Sequence, residues 1–404
     1  MSVLPGFGVN YKAAQANWLN DILFFDSIKN PGAQFNIRPN LTGNMPWAQG
    51  NPAVVGSYAY WRLCCQMFHD AGFYVFCGNS GISPTMTTSN WSAWATAVIA
   101  EATYLQSLGT ASLDVYEIGN ELEGNLVGTI TSLKQTEGVA TAVTATAHGL
   151  SGGETVTISG STPSGYNGSF TCTFVNSNTF TYPVSSSLTT FANPGTFFEM
   201  DILTLHGLMK TLCSSVKAVY NLSAVGCNCF NATVNGVSTY TDWINNSIGS
   251  FDVISLHTYG NINLSNNTIA VGGYSFIAEM IAAFGSKCVI NELNLDSNAS
   301  SNAGFPIAQS IIAINNFLDN YILANGVSKF LVYEWSEFLG NNPSDYGYSQ
   351  LRPTGDMNPL WFQFFTSNPT EYSTGQRALN ARTSVTRTSV SRSTVTRPLF
   401  NSST

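Results

Sequence analysis

Eight short apolar runs, separated for the most part by segments of helical pattern, constrain this chain more than any other feature. The runs are 6–10, 34–39, 73–78, 114–119, 223–229, 252–256, 288–291 and 329–334, and the helical patterns cover 13–29, 54–71, 91–108, 198–220, 277–284 and 308–323. Strand-length runs alternating with helix-length segments are the pattern of β/α units around a parallel sheet. Eight such units fit a closed (β/α)₈ barrel better than an open doubly wound sheet. A chain of 404 residues is long enough for that barrel and a smaller module.

One stretch breaks the rhythm. Residues 131–196 read as strands and turns: Thr155-Val156-Thr157-Ile158, then 169–175 and 179–184, with turn chemistry at Pro163-Ser164-Gly165-Tyr166-Asn167-Gly168. At about 65 residues it is too long for an ordinary βα loop. It follows the fourth run, so it leaves the barrel at the end where active sites form. There it walls or lids a cleft, or it is a decoration tolerated at a loop tip. The expected division is 1–130 and 197–366 for the barrel, 131–196 for a β-rich module and 367–404 for a tail. In that tail Arg377, Arg382, Arg387, Arg392 and Arg397 recur every five residues without an acid among them. Since the whole chain carries a net charge of −8, the +5 of residues 377–404 leaves −13 on residues 1–376. Such a tail reads as an attachment arm, to its own acidic body or to a partner in a virion or cell-surface assembly, or as a solvated disordered segment.

Charged residues are only 9% of the chain, against about 25% in an average soluble domain. The surface is therefore built from Asn, Ser, Thr and Gly, as in many secreted and virion proteins, and an extracellular or virion-associated location is expected. The acidic balance argues against nucleic acid as a partner. No run of 18 apolar residues is present, so no membrane span is expected. Residues 1–10 lack a basic region followed by a long apolar one, which points to a leader already removed or to another export route, such as release on a virus particle. The eight cysteines admit a disulfide framework. Cys64 and Cys65 fall in a helical pattern, however, and Cys77, Cys227, Cys229 and Cys288 fall in strands, which favours buried free thiols. No Cys/His spacing suits a zinc site.

Cleaving a glycosidic bond with retention requires two carboxyl groups facing one sugar ring, and on a barrel these come from the ends of different strands. Val115-Tyr116-Glu117-Ile118-Gly119-Asn120-Glu121 places Glu121 at the end of the fourth run, and Cys288-Val289-Ile290-Asn291-Glu292 places Glu292 at the end of the seventh. Glu117 shares strand parity with Glu121 and reads as a buried acid paired with a barrel cation such as Arg38, which would leave Arg38 less available to Glu292. Glu123, Asp296 and Glu337 read as solvated loop acids.

In these motifs the sequence resembles the clan A retaining glycoside hydrolases, over roughly 4–130 and 197–365. The wording of Tyr116 to Glu121 leans toward the heparanase and β-glucuronidase-like branch, and arabinofuranosidases share it. The resemblance implies a general acid/base at Glu121 and a nucleophile at Glu292. It also implies Asn120 on the sugar 2-hydroxyl, Arg38 keeping the nucleophile ionised, Tyr259 hydrogen-bonded to the nucleophile, His257 lining the cleft and Trp335 stacking under the sugar. His257 reads equally as a satisfied interior histidine, and Trp335 also as core packing. Cys77-Gly78-Asn79 departs from clan members that carry a His there. The substrate implied is a polysaccharide or glycan, with no cofactor. Arg352 and Lys12 are the only nameable cations for a uronic acid carboxylate. The rival reading is a carbohydrate-binding or structural protein on the same barrel.

Overall fold

The computed structural model describes residues 7–12, 18–28, 35–39, 55–78, 85–230, 233–234, 237–246, 251–260, 262–263, 268–269, 275–295, 325–327 and 329–336. The tail, Asp296, Glu337, Arg352 and the helix expected at 308–323 lie outside them.

The chain begins with β1 (Phe7–Lys12), α1 (Trp18–Ile28), β2 (Asn36–Pro39), α2 (Val55–Asp70), β3 (Tyr74–Gly78), α3 (Thr88–Ser107) and β4 (Val115–Ile118). A run of strands follows: β5 (Gly128–Thr136), β6 (Val139–Thr144), β7 (Thr155–Ser159), β8 (Gly168–Thr171), β9 (Thr173–Asn176), β10 (Thr179–Pro183), β11 (Phe191–Ala192) and β12 (Thr196–Phe198). Then come α4 (Ile202–Val219), β13 (Ala224–Phe230), the short pair β14 (Thr233–Val234) and β15 (Val237–Ser238), α5 (Thr239–Asn246) and β16 (Val253–Gly260). The pair β17 (Ile262–Asn263) and β18 (Thr268–Ile269), α6 (Ser275–Phe284), β19 (Cys288–Leu295) and β20 (Phe330–Ser336) complete it.

Eight parallel strands close into a barrel in the order β1-β2-β3-β4-β13-β16-β19-β20, with β20 pairing back onto β1. All eight expected strands are members, within a few residues of their expected bounds. Closure needs a close approach at Gly8, where a Cβ would lie 2.2 Å from the Asn36 carbonyl oxygen. Outside the barrel, α1 and α2 bury an aromatic cluster in which Phe25 stacks on Phe35 at 5.1 Å and Phe73 meets Phe68 edge-on at 5.5 Å. All eight cysteines are buried and free, as the strand and helix placements favoured.

Side chains alternate along a strand, so one parity of each strand faces the barrel interior. The interior changes character along its axis. Phe76, Val115, Val253, Val289 and Leu331 form a buried apolar cluster drawn from five strands. Two residues further along three of those strands stand Glu117, Ser255 and Asn291, all fully buried and polar. The catalytic-looking side chains lie beyond these, at the C-terminal ends.

Strands β5–β12 form a separate antiparallel sheet, in the order β8-β7-β12-β5-β6-β10-β9 with β11 on β5. Its core, which includes Val156, Tyr166, Phe180, Tyr182 and Phe197, is distinct from that of the barrel. The sheet starts and ends slightly outside 131–196, because Gly128 and Phe197 pair as its closing rung. The strand expected at 169–175 is two strands, β8 on β7 and β9 on β10, divided at the buried Cys172. The sheet abuts the first turn of α3. There the N-cap Thr87 hydroxyl donates to the Gly149 carbonyl at 2.8 Å and Ser89 donates to Glu154 at 2.7 Å.

Glu154 ties this seam together. Burial alone would raise its carboxyl, but the Ser89 hydroxyl and the backbone N–H groups of Ser151 and Gly152 outweigh burial and hold it at about 2. A carboxyl depressed in the folded state contributes stability above its unfolded value and loses it as pH falls through the folded value. Hydrogen exchange at the start of α3 and at 151–153 is therefore expected to accelerate between about pH 4.5 and about pH 2. In Glu154→Gln the exchange should already be fast at neutral pH and show no such acid step.

Candidate active site

The end of β4 sets the first carboxylate. Gly119, at φ 74°, turns the chain over Leu122, whose Cδ1 would lie 2.6 Å from a Cβ at that position. Glu121 follows in the left-handed region at φ 50°, ψ 43°, which costs a non-glycine residue about 1–3 kcal/mol. Three bonds hold it there. Its N–H donates to Asn228 Oδ1 at 2.8 Å, Asn228 Nδ2 donates to the Gly119 carbonyl at 2.7 Å, and the Gly124 N–H donates to the Glu121 carbonyl at 3.0 Å. A strained backbone secured by a neighbouring strand aims the Glu121 side chain.

The end of β19 sets the second. Leu256 pairs with Ile290 but His257 pairs with Glu292, and on the other side Ile290 pairs with Phe330 but Leu293 with Val332. One residue of β19 is thus extra against both neighbours, a bulge that breaks the alternation. It allows adjacent residues to serve the interior together: Asn291 Nδ2 donates to Glu117 Oε1 at 2.6 Å, while Glu292 reaches Arg38 and His257.

Arg38 connects the two ends. Its Nε and Nη2 lie 3.1 and 2.9 Å from Glu117 Oε2, Nη2 donates to Asn120 Oδ1 at 2.8 Å, and Nη1 donates to Glu292 Oε1. The pairing with Glu117 expected from parity is present, but it does not withdraw Arg38 from Glu292. The planar fork serves three acceptors, Nη2 reaching both Glu117 and Asn120 while Nη1 reaches Glu292. Burial opposes the charge on Arg38, yet Glu117 and Glu292 outweigh burial and raise its pKa.

His257 is 1% exposed and completes the group, with Nδ1 at 2.8 Å from Glu121 Oε1 and 3.5 Å from Glu292 Oε2. Burial pushes its pKa down, but the Glu292 charge and the hydrogen bond to Glu121 more than compensate and raise it. The Glu121 carboxyl is pushed up by burial and pulled further down by the His257 hydrogen bond, with His257 and Arg38 charges adding to the pull. The immediate neighbour of the Glu121 carboxyl is therefore an imidazole. Glu121, His257 and Glu292 place ligand-type atoms within 4.8 Å of one another, as a metal site would, but Arg38 on the same Glu292 carboxylate opposes a cation.

Tyr259 lies two residues beyond His257 in β16, opposite Asn294, and Trp335 lies in β20 opposite Tyr11. The side chains of Tyr259, Trp335 and Lys12 are outside the described part. Glu123 is not a solvated loop acid; it is 1% exposed, within the 3₁₀ turn Leu122–Asn125. Asn228 was missed as a site residue, although a lone polar residue inside the apolar run Val225-Gly226-Cys227-Asn228-Cys229 was a visible signal.

No protein-family model matches the chain, and no curated protein matches it. Solved structures do. A β-galactosidase from the psychrophilic Marinomonas ef1 is similar at a TM-score of 0.50 and 11% identity, over 93% of this chain and 59% of that one, so this chain spans less than two thirds of its length. GH5_18 from Bifidobacterium longum, in complex with Manb1-4GlcNAc, gives 0.48 and 10% over 94% and 79% of the two chains. A β-glucanase from Saccharophagus degradans gives 0.45 and 11% over 94% and 89%. At these identities the likeness concerns fold, and the fold is a TIM barrel of the kind found in glycosidases.

Removing one partner of a buried ion pair leaves an uncompensated charge and costs about 3–5 kcal/mol. Arg38→Met is expected to destabilise the protein by about that much in urea unfolding at pH 7.

Proposed function

We propose that this chain is a retaining glycoside hydrolase that cleaves β-glycosidic bonds in a polysaccharide or glycan. The observation that carries the reading is the spacing of Glu121 and Glu292, whose nearest ligand-type oxygens lie within 4.8 Å. Retaining enzymes hold their two carboxyl groups about 5–5.5 Å apart, and inverting ones about 6.5–9.5 Å to admit a water.

Each group has a task in the double displacement. Glu292, kept ionised by Arg38, attacks the anomeric carbon while the bond to the leaving oxygen breaks. Glu121 gives that oxygen a proton, then as carboxylate takes a proton from the water that releases the glycosyl-enzyme. Asn120, fixed by its bond from Arg38, meets the sugar 2-hydroxyl. We assign His257 to the proton balance of Glu121 in addition to lining the cleft, and Tyr259 and Trp335 to the nucleophile and the sugar face. These steps use side chains alone, and no cofactor is proposed. Placement in the heparanase and β-glucuronidase-like branch rests on the wording of residues 116–121. The sparse charge supports an extracellular or virion-associated setting, with the tail as the attachment arm.

Incubation with 2-fluoro glycosides of gluco, galacto, xylo and glucurono type should give one stoichiometric adduct by intact mass, mapping to Glu292 and absent from Glu292→Gln. An adduct on another acid would overturn the nucleophile assignment. No adduct and no hydrolysis with any sugar would favour a barrel that only binds. Glu121→Ala should lower turnover about 10²–10⁴-fold on substrates with poor leaving groups and far less on activated aryl glycosides. An equal loss on both would remove Glu121 from the acid role.

A further inference from the structure

Two residues beyond Glu121 the chain buries a second carboxylate that the proposed reaction does not use. Glu123 Oε1 accepts from Trp243 Nε1 at 3.2 Å and from His206 Nε2 at 3.3 Å, while Oε2 has no hydrogen-bond partner among the described residues. On its other ring nitrogen His206, from α4, pairs with Asp242 from α5. Both nitrogens of His206 thus face carboxyl groups, which favours the doubly protonated ring. The ring stacks on Trp243 at 4.2 Å. Burial disfavours the charged form, and the bonds to Asp242 and Glu123 outweigh burial and raise the His206 pKa. Cys227 and Cys229 on β13 also feel the Glu123 charge, and burial keeps both protonated.

A buried carboxylate with an unsatisfied oxygen is costly, and this one sits in the turn that determines how Glu121 points. The Gly124 N–H closes the turn on the Glu121 carbonyl, and the Leu126 N–H returns to the Glu123 carbonyl at 3.4 Å. We infer that Glu123 is a positioning residue for Glu121: anchored to His206 and Trp243, it holds the turn in place, and its negative charge favours a proton on the Glu121 carboxyl. The inference rests on the general-acid reading of Glu121. The charges facing Glu121 divide accordingly. His257 from β16 and Arg38 from β2 favour the carboxylate, and Glu123 from its own turn opposes them. Glu292 from β19 meets the same His257 nitrogen.

The test is Glu123→Gln, which keeps the shape and an acceptor but removes the charge, with Asp242→Asn as a second variant that leaves Glu123 in place. The pH profile of kcat/KM should keep its acid limb and move its alkaline limb to lower pH. On that alkaline flank Glu123→Gln should lose about threefold or more, with Asp242→Asn shifted the same way but less. In parallel, the Glu121 carboxyl is titrated by ¹³C NMR, assigned by difference from Glu121→Gln, and should ionise at lower pH in both variants. Reduced stability with an unmoved alkaline limb and an unmoved Glu121 titration would make Glu123 merely structural and overturn the inference. A wild-type protein that hydrolyses no glycoside would overturn the enzymatic reading instead, and the NMR titration still decides the role of Glu123.

Discussion

Arg38 is a cation that does not lose its proton, placed where water does not reach it, and the upper half of the barrel is arranged around that fact. A guanidinium brings five N–H donors into the interior and needs acceptors in its own plane. Two strands supply them: Glu117 lies in β4 with Asn120 just beyond its end, and Glu292 belongs to β19, while Arg38 itself comes from β2. Glu117 is needed because one carboxylate would leave half the fork unanswered, and Asn291 is needed because Glu117 has a second oxygen to satisfy. The apolar layer of Phe76, Val115, Val253, Val289 and Leu331 closes the interior beneath. Glu117 and Asn291 thus each answer a hydrogen-bond requirement created by another group.

That requirement also explains the bulge in β19. With regular alternation, Asn291 would face the interior and Glu292 would point outward into the helix layer. The extra residue turns both inward, so one strand supplies the partner of Glu117 and the partner of Arg38 in consecutive positions. On the opposite side of the cleft the left-handed Glu121 plays a similar part, held by Asn228 across the β4–β13 boundary. Both carboxylates are therefore aimed by irregular backbone that regular neighbours hold in place, as is common where function outweighs local comfort.

This division marks what was readable from the residues. The barrel strands are apolar on both parities for most of their length, which leaves runs such as Cys288–Ile290 conspicuous, and the acids that end them could be located by counting. Parity alone placed Glu117 in the interior, beside a barrel cation such as Arg38. The bulge was not readable, since its extra residue is defined only against Leu256 and Phe330, far away in sequence. Glu123 was misread for the same reason: its partners stand on helices 83 and 120 residues further on, and α5, short and polar, was not among the expected helices. The sheet of β5–β12 announced itself through alternation and turns, but its seam with α3 depends on contacts such as Ser89 with Glu154 that no local pattern encodes.

The remaining question is how a carboxyl pulled down by His257 acts as an acid in the proposed reaction, and exposure supplies the answer. The Glu121 side chain is 33% exposed, whereas that of His257 is fully buried. A sugar filling the cleft removes water from Glu121 and changes little around His257, which has no water to lose. Desolvation disfavours the charged carboxylate, so it moves the shared proton along the 2.8 Å bond from imidazole to carboxyl. Glu292 loses less, because Arg38 already holds its charge without solvent. In the proposed reaction, substrate binding thereby separates the two carboxyl groups, leaving Glu292 to attack and a protonated Glu121 to donate, and the Glu123 charge behind the turn tips the balance the same way.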